Sequence, residues 1–181
     1  MKRSFILSRI ALVLAVAVLC LLVFSGNPLE LRAQSAGAYA SADAKAKDVG
    51  LPLYPGSKPH TDSDDSNSSA QLGLWFGNTG FQLVVLKMES ADTPDKIANY
   101  YRKALGKYGT VLDCTNAAAR SDKDSSNKLT CGDDKPDAGG MLFKAGTKER
   151  QHIVNVQPNG NGTVYQLVYL VAKDKGHDAE L

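Results

Sequence analysis

The chain reads as an α+β domain, an antiparallel sheet with one long helix packed on one face in two layers, in the order β-β-α-β-β-β-β. Three observations predict it. Two strand-like runs flank "GNTG", Gly77 to Gly80, a tetrapeptide rich in residues that accept the positive φ of a hairpin turn. A second hairpin signal, "PNGNG", joins the last two apolar runs. Between the hairpins, residues 92–109 carry a complete helix signature.

The N-terminus precedes all of this. Lys2, Arg3 and Arg9 lead into an unbroken apolar run from Ile10 to Phe24, followed by Ser25 and Gly26, the layout of an export signal. The run is fifteen residues, at the upper limit of a signal-peptide core and short of the roughly 18 to 20 that a spanning helix wants. Cleavage therefore leads, with small residues permitting it after Ser25, Ala33 or Ser35, and a retained inner-membrane anchor is the alternative. Cys20 follows Leu19, a bulky residue where lipid-modification sites carry small ones, so it is read as one more apolar residue of the leader. Residues 1–35 are thus assigned to the export segment, and the expected location is the periplasm or the exterior.

Charge narrows the partners. Of 21 basic and 19 acidic residues, four basic and one acidic precede Ala36, which leaves 17 and 18 and a net of −1. No Lys/Arg cluster follows the leader, so nucleic acid is not an expected partner. The expected partner is an envelope protein or ligand, with the membrane met only through the N-terminal segment if that segment is uncleaved. About 145 residues beyond the leader suit one domain with one core.

Taken in order, residues 36–48, "AGAYASADAKAKD", read as a flexible linker: small and charged residues with no apolar period. The domain is assigned to 49–173. In "VGLPLYPGSKP", Pro52, Pro55 and Pro59 remove backbone donors, and Gly56 after Pro55 suits a type II turn, with Leu51, Leu53 and Tyr54 as packing anchors. Residues 60–69 read as a solvated loop. Leu72–Phe76 and Phe81–Met88 form the first hairpin. Asp92 or Thr93 can then cap a helix opened by Pro94, with Asp95 at its positive end and Arg102, Lys103 and Lys107 at its negative end. Ile97, Tyr101, Ala104, Leu105 and Tyr108 share one face, and Gly109 stops the helix. "TVLDC", "NKLTC", "MLFKA", "RQHIVNVQ" and "TVYQLVYLVA" follow as strand-like runs. The last is apolar on both sides, as in a central strand. Residues 174–181 read as a disordered tail.

Tyr54-Pro55-Gly56 together with Tyr100-Tyr101-Arg102-Lys103-Ala104-Leu105 resembles small uncharacterised exported bacterial proteins that carry a YPG segment and an "FYrkaL…yG"-like helix, with Tyr100 in place of the Phe. The resemblance covers about a third of the chain. It implies a bacterial envelope setting and no activity.

Candidate chemistry concentrates between Cys114 and Cys131. Asp122, Asp124, Ser126 and Asp133 sit at positions 1, 3, 5 and 12 of an EF-hand-like loop, where a hard cation wants converging oxygens. Position 6 is Asn127 instead of Gly, and position 12 is Asp instead of Glu, so calcium is a weak reading. Zinc spacings are missing, and His60, His152 and His177 are scattered, with His152 expected on the sheet surface. The leading reading of the two cysteines is a disulfide in an oxidising compartment. No GxSxG elbow, P-loop or dinucleotide fingerprint is present, and no cofactor is implied. The function expected is therefore a non-catalytic envelope domain for binding or interaction. The alternatives are an envelope hydrolase with a dispersed carboxylate or Ser/His site, and a calcium-stabilised module.

Overall fold

In a computed structural model, which describes residues 36–63, 67–120 and 128–173, the chain is mostly antiparallel sheet with few helices. The strands are β1 (Ala36–Ser41), β2 (Lys58–Pro59), β3 (Ser69–Phe76), β4 (Thr79–Ser90), β5 (Leu112–Asp113), β6 (Met141–Gly146), β7 (Arg150–Asn159) and β8 (Gly162–Lys173). Their spatial order is β1-β3-β4-β8-β7-β6-β5, with β2 pairing β4 beyond the end of β3. The helices are α1 (Ala46–Val49) and α2 (Pro94–Leu105), and α2 continues into one 3-10 turn at Gly106–Tyr108.

Both hairpins form where the turn residues lie. Gly77 and Gly160 adopt φ of 58° and 57°, which only a residue without a Cβ takes at little cost. Helix α2 starts with Pro94 at its first turn and Thr93 as the N-cap residue, although no side chain caps it. Its buried residues Ile97, Ala98, Tyr101 and Leu105 pack on Val84, Leu86, Met88, Phe143, Val154, Val156, Tyr165 and Leu167. Those sheet residues alternate along β4, β6, β7 and β8, so they form one face. Strand β8 is central, between β4 and β7.

The segment after α1 is fastened to α2 by tyrosines. The buried Tyr101 hydroxyl donates to the Pro52 carbonyl and accepts from the Tyr54 backbone N–H, each at 3.1 Å. The Tyr100 hydroxyl donates to the Leu53 carbonyl, and the Tyr54 hydroxyl donates to Asp92 at 2.8 Å. The turn at Pro55-Gly56 closes with Ser57 N–H to the Tyr54 carbonyl, and Gly56 has φ 75°. Leu51 is buried, whereas Leu53, expected as an anchor, is 44% exposed.

Three expectations are corrected. Residues 36–48 are not a featureless linker: Ala36–Ser41 is strand β1, paired with β3 from Ala36↔Phe76 to Ser41↔Gln71, and Ala46–Val49 is a helical turn. "NKLTC" contributes no strand among its described residues, Lys128–Cys131. His152 is not on the surface. It is 7% exposed, stacked between Tyr108 (centroids 3.5 Å) and Tyr169 (4.7 Å).

Candidate functional site

The face of the sheet opposite α2 is only partly covered. At its β5–β6 end, Cys114 and Cys131 are joined in a disulfide, Cα atoms 5.4 Å apart, and with Leu142 they make a small second core flanked by Leu112 and Ile153. Cys114 N–H donates to the Leu142 carbonyl at 2.8 Å, one step beyond the Asp113↔Phe143 pair that ends the β5–β6 ladder. Such a crosslink is what an oxidising compartment permits.

The middle of the same face is polar because the register aligns Lys87 of β4, Gln166 of β8 and Asn155 of β7 across three neighbouring strands. Two adjoining cavities of about 720 and 290 Å³ meet there, sharing Asp62, Lys87 and Gln166 as lining residues. The larger runs towards Ala40, Leu72 and Val85, and the smaller towards Asn155, Gln157 and Asp137. Together they form a groove with an apolar and an amide-lined end.

His60 stands beside this groove. Its backbone N–H donates to the Lys87 carbonyl at 3.0 Å, extending the β2–β4 pairing by one step. Its Nδ1 lies 2.7 Å from Glu89 and its Nε2 3.4 Å from Asp62, and Lys87 also bonds Asp62. The Lys87 hydrogen bond, assisted by His60, holds the Asp62 carboxyl below the usual carboxylate range. Both ring nitrogens face carboxylates, which fix the orientation of the ring at the edge of the groove.

His152 lies apart from this groove, buried beneath the ring of Tyr108. Burial pushes its pKa down to about 4, opposed by a hydrogen bond with the Val49 backbone and reinforced by Lys107. Its Nδ1 is buried without a partner. The ring is a neutral packing element, and Gly50 leaves it room: a Cβ there would lie 2.8 Å from the Tyr108 hydroxyl and 3.4 Å from the imidazole.

Of the calcium candidates, Asp122, Asp124 and Ser126 lie outside the described residues. Asp133 is exposed in the turn after Cys131, and its neighbour Asp134 pairs with Lys144 at 2.7 Å. Among the described residues, no three His, Cys, Asp or Glu side chains converge to hold a metal, and no helix is long and apolar enough to cross a membrane. His177 also lies outside the described residues.

Reading residues singly missed the Lys87–Gln166–Asn155 row and the His60–Glu89 pair. The only signal for the row was polar residues at alternate positions inside otherwise apolar strands. No protein-family model, curated protein or solved structure matches the chain.

Proposed function

We propose that this is an exported domain of a bacterial cell envelope, periplasmic or extracellular, that binds a protein or ligand on the open face of its sheet and performs no catalysis. The observation that carries the reading is the asymmetry of the two faces. One is closed by α2 and the 44–54 segment, while the other bears a groove lined by Lys87, Gln166, Asn155 and Gln157. Amides and a lysine beside apolar Leu72 and Val85 provide both orientation and contact area, as binding clefts do. The charge balance beyond the leader, the disulfide and the leader itself support the envelope setting, with a retained N-terminal anchor as the variant form. The YPG and Tyr100–Leu105 resemblance supports the same setting, and its residues serve to fasten the 52–54 segment to α2.

A photo-crosslinking residue placed at Gln166, compared with one at Lys103 on α2, tests the reading in cells. Adducts from Gln166 alone are expected. Equal adducts from both positions, or turnover of a defined substrate that is lost in His60→Ala, would favour the hydrolase alternative instead.

A further inference from the structure

One end of the sheet has a character that the groove does not explain. At the tip of the β3–β4 hairpin, Leu74, Phe76 and Phe81 are 41, 66 and 37% exposed. Register puts Leu74 opposite Phe81, so these side chains share the open face, and Phe76 falls on it by alternation. Trp75 points to the other face, 39% exposed, against Tyr39 of β1 with centroids 5.9 Å apart. The tip is therefore apolar on both faces, and its turn, Gly77-Asn78-Thr79, carries no charge.

We infer that this hairpin tip is a membrane-docking element that seats in the headgroup region of an anionic bilayer. A protein partner covers one face of a strand pair. A lipid interface surrounds a tip from both sides and favours the Trp and Phe that this one presents. Charge at the same end agrees. Among the described residues, Lys173 lies opposite Gly80, Arg150 opposite Val171, and the β6–β7 turn holds Lys148 and Glu149. Basic side chains near a bilayer draw it towards anionic lipid.

The entry point of the chain agrees as well. Strand β1 begins at Ala36, whose ladder partner is Phe76. The stretch Ser25–Ser35, eleven residues that follow the apolar run Ile10–Phe24, therefore joins the domain beside the tip and not at the far end, where His60 and Asp92 lie. A chain cleaved before Ala36 would meet the bilayer by the tip alone.

Trp75 is the single tryptophan of the chain, so its fluorescence reports this hairpin and nothing else. The protein as recovered from cells is mixed with vesicles of phosphatidylcholine and phosphatidylglycerol, with and without a quencher attached at the headgroup. A blue shift and headgroup-quencher sensitivity of Trp75 are expected, both absent in Phe76→Ser/Phe81→Ser. In a chain without its leader, the same pair of changes should lower vesicle partitioning roughly tenfold or more. Arg150→Gln/Lys173→Gln, which leaves the apolar tip intact, should weaken the response to phosphatidylglycerol. Vesicle-bound protein whose Trp75 neither shifts nor is quenched would overturn the inference. A shift that follows protein concentration without vesicles would overturn it too, and would assign the tip and β1 to a second copy of the chain.

Discussion

The two edges of the sheet are built on opposite principles. At one, β5 is two residues long, its ladder ends in a buried disulfide, and Leu142, Leu112 and Ile153 pack around the bridge. At the other, β1 runs six residues, "AGAYAS", with no charge, no proline and no bridge. Natural edge strands are usually shortened, charged or covered, because unpaired backbone groups invite another chain. The first edge follows that rule by brevity and crosslinking, and the second breaks it. What the comparison teaches is where the molecule's covalent stabilisation lies: at the edge away from the bare hairpin, so that the apolar tip is held only by strand pairing and by rings lying over glycines. A Cβ at Gly37 would come within 2.1 Å of the Trp75 ring, and one at Gly73 equally close to Tyr39.

Breaking the stapled edge gives the largest expected effect. Cys114→Ser/Cys131→Ser should lower stability by about 3 kcal/mol for a loop of this length, read as a lower urea midpoint, and reduction of the parent protein should reproduce it. An unchanged midpoint would mean that the second core stands without the bridge.

His152 tests the centre between the two edges. Its ring is neutral in the fold, with a pKa lowered from 6.5 to about 4, so the unfolded chain takes up the proton first. Stability is therefore fully expressed above about pH 6.5 and falls as pH drops towards 4, by roughly 2 to 3 kcal/mol. Titration of the urea midpoint should show this slope, and His152→Phe, which keeps the stacked ring between Tyr108 and Tyr169, should flatten it.

Tyr101→Phe removes the hydroxyl that serves both the Pro52 carbonyl and the Tyr54 N–H. A loss of about 1 to 2 kcal/mol is expected, since two partly buried backbone groups lose their partner. Hydrogen exchange should rise at Tyr54 before it rises in the strands.

The smallest stability effect belongs to the bare edge. Leu74→Ser and Phe76→Ser should each change the urea midpoint by about 1 kcal/mol or less in equivalent free energy, because the side chains are already 41 and 66% exposed. A large loss at either would show that the tip is covered in the native protein.

Legibility in the sequence followed how local each cause was. The hairpin turns and α2 were readable because glycines, Pro94 and the apolar spacing act within a few residues. Strand β1 was not, because "AGAYAS" has little strand propensity of its own. It is a strand through its ladder with β3 and the reciprocal placement of Tyr39 over Gly73 and Trp75 over Gly37. His152 lacked a signal for burial because Tyr108, which covers it, arrives from the end of α2, 44 positions earlier. The same holds for His60, whose partner Glu89 lies 29 positions on. The disulfide was readable as a pairing, since only two cysteines follow residue 35. Its burial beneath the β5–β6 edge depended on register and was not.

The bridge between Cys114 and Cys131 has a last consequence for the polar stretch it encloses. A protease that nicks the chain between Thr115 and Thr130 does not release a fragment: the two pieces stay covalently joined until a reductant reaches the bond. In surroundings that hold proteases but little reductant, a domain nicked there would still travel as one molecule.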